Sequence, residues 1–343
     1  MRTERKSLSV LTARPASAAD PSSIPIDPVT FDAVYVVNGG DGETSSISVI
    51  DAERDTLAGT IELTDAAWPH HIYLSADGRR LAVAVPGIDL SMGHGEMPEP
   101  GMGAVMVLDA RTGATVRSRT TPTRNHNAAF SLNGREIWTG QMMMDMPGTV
   151  LVLDPNTLET RREITAGVMP HEVTFAPEGN AYVANAMSND VTVINSFTKR
   201  VVNTIPVGDL PVGAWQGDNG YAYVDNEHSM TVSAINRRAQ RVAHTYDLGF
   251  TPGIALLGPD GHLWVTDADN GQVVLFSARR DVRLKEIPAG DGAHAIAFSG
   301  NGKTAYVTNQ AANTVSVIDV RTHTVKKTIR VGGKPNGLLW RRG

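Results

Sequence analysis

The chain has 343 residues, a formal net charge of −5 and no cysteine. Without cysteine it forms neither disulfides nor thiolate metal sites. Its charge is balanced and no long basic stretch occurs, which argues against nucleic acid as a partner. No apolar run approaches the ~18 residues that a membrane-spanning helix needs. Length alone does not require two domains, because all-β proteins of this size fold as one unit.

The first 32 residues differ from the rest in composition. Arg2 and Lys6 resemble the basic start of an export signal, and residues 16–18 (Ala-Ser-Ala) resemble its cleavage site. The apolar stretch between them, residues 8–13, is shorter than the ~7–15 residues of a working signal core. We interpret residues 1–32 as a degenerate export signal or a disordered linker, and we predict a periplasmic or secreted protein.

Residues 33–343 repeat one pattern seven times, with a period of roughly 40 residues. Each copy contains a Tyr-Val-x-Asn segment or a looser relative of it. In chain order these segments begin at Tyr35, Ala82, Trp138, Tyr182, Tyr223, Trp264 and Tyr306. A second apolar run follows and ends in a turn-forming residue, at Asp51, Asp109, Asp154, Asn195, Asn236, Ser277 and Asp319. With a third run and a fourth that closes in a Gly-containing turn, each copy predicts four short strands.

Four-stranded sheets that repeat radially form a β-propeller. The sequence therefore predicts an all-β fold, a single seven-bladed β-propeller of four-stranded antiparallel blades over residues 33–343. The repeated part begins with the second strand of a repeat near Ala33 and ends with a lone first strand over residues 335–340. These N- and C-terminal strands are expected to share one blade, so that the ring closes without a free edge.

The repeat resembles that of the YVTN-type β-propeller family (cytochrome d1/YVTN-like propellers). Residues 306–309 read Tyr-Val-Thr-Asn, and the resemblance covers residues 33–343. It implies the propeller fold, and it implies export and redox cofactors as themes of the family. The d1-haem propellers have a similar repeat but eight blades, so seven repeats argue against that cofactor here.

The histidines fall into register with the repeats. In a propeller the innermost strand lines the central channel, and the loop that precedes it lies on the same face as the loop between the second and third strands; we name this the top face. The start of the innermost strand carries histidine in four repeats, at His70, His126, His171 and His294. The other three repeats carry Val212, Gly253 and Asn336 there. Neutral imidazole is the commonest metal ligand in proteins, so this convergence predicts a metal site at the channel mouth.

Methionines also concentrate on the predicted top face. The two longest top loops contain six candidate ligands or lid residues: Met92, Met97, Met142, Met143, Met144 and Met146. A thioether is soft and selects Cu(I), whereas imidazole also suits iron. We therefore favour copper as the cofactor and place iron second. The alternative is that these loops form an apolar lid or a partner surface.

Other residues near the mouth are candidates for supporting roles. Three more histidines could join or replace the four ligands: His71, His94 and His228. His71 follows His70, and strand alternation points it away from the channel unless the strand begins late. Four residues could accept a hydrogen bond from a ligand's ring N–H: Glu172, Asn125, Asn127 and Asn336. We assign the remaining histidines, His244, His262 and His323, to surface or packing roles.

The leading hypothesis is a soluble, exported propeller that binds copper through His70, His126, His171 and His294 and has a redox or metal-handling role. Its partner would be a small-molecule substrate or a metal-donor protein. The first alternative is a non-haem iron oxygenase that uses the same histidines, by analogy with carotenoid-cleavage oxygenases, which hold iron with four histidines on the axis of a seven-bladed propeller. The second is a metal-free protein-interaction scaffold. The sequence identifies no catalytic residue.

Overall fold

A computed structural model describes residues 25–91 and 101–343. The first fourteen strands are β1 (Ala33–Asn38), β2 (Ser45–Asp51), β3 (Thr56–Leu63), β4 (Ile72–Leu74), β5 (Arg80–Val85), β6 (Gly103–Asp109), β7 (Thr115–Thr121), β8 (Ala129–Phe130), β9 (Ile137–Gln141), β10 (Pro147–Leu153), β11 (Thr160–Val168), β12 (Pro170–Phe175), β13 (Asn180–Asn185) and β14 (Asp190–Asn195). The other strands are β15 (Arg200–Pro206), β16 (Pro211–Gln216), β17 (Tyr221–Asn226), β18 (Thr231–Asn236), β19 (Arg241–Asp247), β20 (Pro252–Leu257), β21 (His262–Asp267), β22 (Gln272–Ser277), β23 (Arg283–Pro288), β24 (Ala293–Phe298), β25 (Thr304–Asn309), β26 (Thr314–Asp319), β27 (Thr324–Arg330) and β28 (Pro335–Arg341). Within those two ranges, no helix is long and apolar enough to cross a bilayer.

The strands form seven antiparallel sheets of four strands each, which are the blades of the predicted propeller. Six blades are consecutive meanders: blade 2 is β4–β7, blade 3 is β8–β11, blade 4 is β12–β15, blade 5 is β16–β19, blade 6 is β20–β23 and blade 7 is β24–β27. Blade 1 has the order β28-β1-β2-β3, so both ends of the repeated region share it. The pairing of β28 with β1 aligns Ala33 with Arg341 and Tyr35 with Leu339. The predicted fold and its ring closure are confirmed.

Turn residues fix the outer corners of the blades as the sequence predicts. Asp51 Oδ1 accepts hydrogen bonds from the backbone N–H groups of Glu53 and Arg54, at 2.9 and 3.0 Å. Asn195 makes the same turn in blade 4. The side-chain oxygen of such a residue accepts hydrogen bonds from the backbone N–H groups two and three residues later. This favours a turn over continuation of the strand. The third strand of a blade therefore ends at this residue, or one residue before it in blade 3.

Aromatic side chains of the second strands hold the blades together. Tyr35, Trp138, Tyr182, Tyr223, Trp264 and Tyr306 are all fully buried. The Tyr306 hydroxyl crosses from blade 7 to blade 1, where it donates to Asp55 Oδ1 at 3.0 Å and lies 3.3 Å from the carbonyl of Ala52. Tyr35 reaches from blade 1 to the carbonyl of Ala110 in blade 2 in the same way. The rings of Tyr35, Tyr182 and Tyr306 thus pack between sheets while their hydroxyls reach a turn of the next blade, whereas Trp138, Tyr223 and Trp264 bond within their own blade.

The segment before β1 packs against the propeller. Val29 is 1% exposed, and its backbone N–H donates to the carbonyl of Arg111 at 2.7 Å. Pro25 forms an isolated parallel bridge with Thr60, and Ile26 packs on the same apolar cluster. We had assigned residues 25–32 to the N-terminal linker. In the structure they cover part of blades 1 and 2.

Candidate metal centre

The repeat register places the predicted histidines at one end of the channel. His171 and His294 are the second residues of the innermost strands β12 and β24. Asn336 is the second residue of β28. In blades 2 and 3 the innermost strands begin later, at Ile72 and Ala129, so His70 and His126 lie in the segments that lead into them.

Three imidazoles come together there. The ligand nitrogens of His70, His71 and His126 all lie within 4.8 Å of one another, and all three residues are buried. His70 Nε2 is 3.0 Å from His126 Nε2. The ring of His71 lies 4.6 Å from that of His70 and 4.7 Å from that of His126, measured between centroids. Two ligands on a tetrahedral ion with metal–nitrogen distances of ~2.0–2.1 Å are about 3.3 Å apart, so the His70–His126 pair needs to open by only a few tenths of an ångström to hold an ion.

The outer nitrogens of two of these rings are held by polar side chains. The side-chain amide of Asn336 lies 2.7 Å from His70 Nδ1. His126 Nδ1 faces Glu172 Oε2 at 3.4 Å, and the other oxygen of Glu172 accepts a hydrogen bond from the Tyr73 hydroxyl at 2.7 Å. Metal-binding histidines are oriented in this way, with one ring nitrogen on the ion and the other on an amide or carboxylate oxygen. With Nε2 bound to metal, Nδ1 carries the proton, and Asn336 would present its oxygen after a half-turn of the amide.

His71 was predicted to point away from the channel unless the strand began late. Because β4 begins at Ile72, alternation does not apply to it, and its ring faces the other two imidazoles. This orientation of His71 is possible because the backbone of β28 passes close to His70 and His71. The N–H of Gly337 donates to the carbonyl of His70 at 2.8 Å, and a Cβ at Gly337 would lie 2.8 Å from that carbonyl oxygen and 3.0 Å from His71 Nδ1. Only glycine leaves room for the histidine pair.

His171 and His294 flank the group of three. The His171 ring stacks on that of His126, with 5.0 Å between centroids and 12° between planes. The His294 ring is 6.0 Å from His70 and 6.4 Å from His71. The donor atoms of these two residues do not join the group that lies within 4.8 Å. The structure therefore brings His70 and His126 together with His71, and places the other two predicted ligands beside them.

Two buried carboxyl groups lie near the imidazoles. Burial raises the pKa of Glu172 well above its usual value; the Tyr73 hydrogen bond opposes this rise, and the nearby Asp225 adds to it. Burial also raises the pKa of Asp225 to about 7, against hydrogen bonds from the backbone N–H of Gly213 and the indole N–H of Trp215. Among the described residues, neither carboxylate forms a salt bridge with lysine or arginine. A divalent cation in the channel would favour the ionised form of both, because opposite charge stabilises a buried carboxylate.

The other predicted supporting residues contribute to packing of the channel wall. The side-chain amide of Asn125 donates to the carbonyl of Ala104 at 3.1 Å, and Asn127 Oδ1 accepts from the backbone N–H of Gly140 at 3.1 Å. Both residues are fully buried. These bonds tie the segment around His126 to strands β6 and β9. Their partners are backbone groups, so in this structure Asn125 and Asn127 position the segment that carries His126.

The predicted methionines divide into two groups. Met142 is 5% exposed and packs in an apolar cluster with Leu90, Met169 and Leu210. Met143 is partly buried. Met144 and Met146 are 36% and 54% exposed on the top face. His228 is exposed in a top loop. Met92, His94 and Met97 lie outside the described residues.

A cavity opens beside His294 on the top face. Its volume is about 370 Å³, and its lining includes Ser91, Glu227, Gly253 and Gln310. It offers hydroxyl, amide and carboxylate groups next to an imidazole. A small polar molecule would fit this space next to the histidines. The sequence did not single out this cavity, because its walls come from four different blades.

The fold and the buried histidine group define a β-propeller with an axial site that could hold a metal. No protein-family model matches the chain, and no curated protein matches it by sequence. Among solved structures, the chain is similar to a periplasmic gluconolactonase of Pseudomonas aeruginosa (19% identity, TM-score 0.73, covering 90% of this chain and 99% of that one). It is also similar to a putative 6-phosphogluconolactonase of Bacteroides fragilis (18%, TM-score 0.68, 92% and 99%). A third similar structure is the dihydro-heme d1 dehydrogenase NirN (19%, TM-score 0.63, 93% and 66%). At these identities the likeness shows the fold alone.

Proposed function

We propose that this protein binds one transition-metal ion at the top of its channel, through His70, His71 and His126, with His171 and His294 beside it. The proposal rests on the geometry of His70 and His126. Their Nε2 atoms lie 3.0 Å apart, while the Nδ1 atom of His70 faces Asn336 and that of His126 faces Glu172. A hydrogen bond between His70 and His126 would require only these two rings and one shared proton. Such a hydrogen bond does not account for the third imidazole, His71, whose ring centroid lies 4.6 and 4.7 Å from those of the other two.

Copper is the metal we favour. Neutral imidazole binds copper, zinc, iron and nickel, so the three rings do not choose among them. The top face adds soft ligands, since the thioethers of Met102, Met144 and Met146 are exposed there. These side chains would capture Cu(I) from a metal-donor protein, and the buried imidazoles would then receive it. Iron is the second candidate, on the same three rings.

The channel site also suits chemistry on a small molecule. The cavity beside His294 would bring a polar substrate next to the ion, with Glu227 and Gln310 as hydrogen-bonding groups. When bound, copper would supply one-electron redox chemistry. The chain's own residues would orient the substrate and, through Glu172, hold the proton of His126 Nδ1. Export is part of this proposal, supported by the basic start and Ala-Ser-Ala segment of the N-terminus and by a structural neighbour described as periplasmic.

Metal analysis of the purified protein tests the proposal. The full chain would be loaded separately with Cu(I) and Fe(II), desalted, and measured for bound metal beside two variants, His126→Ala and His228→Ala. We expect the His126→Ala variant to hold one copper per chain fewer than the wild type. The His228→Ala variant, which removes an exposed top-loop imidazole, should match the wild type.

The alternative functions correspond to other outcomes. Retention of iron rather than copper, lost in His126→Ala, would replace copper by iron in the proposal. Equal metal content in all three proteins would refute an axial metal site and leave the interaction scaffold, for which the exposed methionines of the top face would be the docking surface. N-terminal sequencing of the protein secreted by a bacterial host would test export.

A further inference from the structure

A second group of metal-binding side chains lies on the opposite, bottom face of the propeller. Asp260 belongs to the turn between β20 and β21 of blade 6, and His262 begins β21. His323 lies in the turn between β26 and β27 of blade 7. Their ligand atoms all lie within 4.8 Å of one another. Both histidines were expected in surface or packing roles, because they occupy different positions of the repeat and form no pattern in the sequence.

Both imidazoles point at the same carboxylate oxygen. Asp260 Oδ2 lies 2.8 Å from His323 Nε2 and 3.0 Å from His262 Nδ1. The other oxygen, Oδ1, accepts hydrogen bonds from the indole N–H of Trp264 at 3.1 Å and from the backbone N–H of His262 at 3.2 Å. One oxygen is therefore fixed by donors of its own blade, while the other is aimed at two nitrogen ligands. This division of roles is typical of a metal-binding carboxylate.

The fold requires neither histidine at its position. The turn that contains His323 has a residue with positive φ in five other blades, at Asp55, Gly113, Leu158, Lys199 and Gln240. These side chains share no chemistry, so the backbone accepts almost any residue there. The register position of His262, which pairs with Ser277, is likewise occupied by different residues in other blades: Arg80, Asn180, Tyr221 and Thr304. The repeat structure therefore does not explain why two imidazoles meet at this blade interface.

The electrostatics suit a cation. Burial opposes ionisation of Asp260, yet hydrogen bonds from His323, Trp264 and His262 hold its pKa below the usual value. The carboxylate therefore carries a charge that a cation would complement. The side chains of Asp260 and His323 are only 15% and 17% exposed, whereas that of His262 is 34% exposed. An ion can enter from the His262 side and would keep open positions toward solvent.

We propose that Asp260, His262 and His323 form a second metal site, which binds a divalent cation of the zinc class across the interface of blades 6 and 7. Two imidazoles and one carboxylate are a three-ligand set that Zn²⁺ takes together with water. The two separations between Asp260 Oδ2 and the imidazole nitrogens, 2.8 and 3.0 Å, are a few tenths of an ångström shorter than the about 3.3 Å expected around zinc. This proposal does not depend on the axial site.

The repeats supply substitutions that keep the turns intact. Asp260→Asn retains the oxygen that accepts the turn hydrogen bond, and asparagine performs that role in other blades at Asn133 and Asn301. His323→Gln introduces the residue that blade 5 carries at the same position, Gln240. Neither change should prevent folding. His228→Asn, at an exposed top-loop histidine, is the control.

Equilibrium dialysis of the full chain against Zn²⁺ tests the proposal, with bound zinc measured by elemental analysis. It would be carried out in the wild-type background and again with His126→Ala, so that zinc in the axial site is accounted for. We expect Asp260→Asn and His323→Gln each to weaken one zinc site at least fivefold in both backgrounds, and His228→Asn to leave it unchanged. A smaller change in both variants would overturn the proposal and identify the group as a hydrogen-bonded contact between blades.

Discussion

Asp225 is a buried acid whose protonation should make the fold pH-dependent. Its pKa is about 7 in the folded protein, raised by burial from a usual value near 4. Between these two values the native state binds a proton that the unfolded chain does not. Stability therefore decreases as the pH rises from about 4 to 7, by at most about 1.4 kcal/mol per pH unit for this group, and it is level above the folded pKa. Glu172, whose pKa is also raised by burial, contributes with the same sign.

Substitution of Asp225 by asparagine should flatten this dependence. Asparagine keeps one acceptor for either Gly213 or Trp215 and loses the other, so we expect a loss of about 1–2 kcal/mol at pH 5. At pH 8 the loss should be smaller, because the wild type then holds a buried charge that the variant lacks. Urea unfolding of both proteins at pH 5, 6, 7 and 8 measures the two slopes. Parallel slopes would contradict the assignment of the titration to Asp225.

Sequence reasoning located the axial site but not all of its members. Register across repeats placed His126 and Asn336 at the channel, since a residue's position within a repeat fixes its face and depth. The direction of the His71 side chain was not predicted, because alternation holds only inside a regular strand and the sequence does not show where β4 begins. Met142 was expected among the candidate ligands or lid. It packs with Leu90 and Met169, and no pattern within its loop distinguishes it from the exposed Met144.

At the scale of the strand, the second strand links neighbouring blades in part of the ring. In blades 1, 4 and 7 it carries a buried tyrosine whose hydroxyl reaches a turn of the next blade. The Tyr-Val-x-Asn pattern predicted this strand in every repeat, although blade 2 has Ala82 in place of the aromatic residue. The partners of these three hydroxyls were not predictable, because each belongs to the neighbouring repeat. At the junction of blades 6 and 7 the ring is Trp264, and His323 packs against it with 5.7 Å between centroids.

Removal of the Tyr306 hydroxyl should weaken the junction of blades 7 and 1. In Tyr306→Phe the ring still fills the gap, but the bond to Asp55 and the contact with the Ala52 carbonyl are lost. We expect the free energy of unfolding to fall by about 1 kcal/mol. Tyr223→Phe is the comparison, because the Tyr223 hydroxyl accepts a hydrogen bond from Asn219, an exposed residue of its own blade that water can satisfy. Equal losses in the two variants, measured by urea unfolding, would count against a link between blades.

For the whole molecule, closure of the ring depends on β28. This strand pairs with β1 through residues 335–341 and also contacts the innermost strands of blades 7 and 2. Without it, blade 1 would have a free inner edge beside the channel. The sequence predicted this closure because the repeated region begins one strand late and ends with one extra strand.

Truncation after Lys334 should therefore destabilise the entire propeller. We expect a loss of several kcal/mol and the appearance of aggregates, since β28 buries Leu338 and pairs with β1 through Pro335 and residues 338–341. A chain truncated after Arg341 retains β28 and is the matched control. Urea unfolding and size-exclusion chromatography compare the two. Similar stability of both truncated chains would show that the ring does not need the shared blade.

The shared blade also has a kinetic consequence. Six blades pair strands that are neighbours in sequence, whereas the pairing of Tyr35 with Leu339 joins residues about 300 positions apart. Bringing distant residues together costs loop-closure entropy before any contact offsets it, so such pairings form slowly. We expect refolding to proceed through a state with local blades formed and the ring still open. In pulse-labelling hydrogen exchange, the amides of β28 should then gain protection after those of blades 4 to 6.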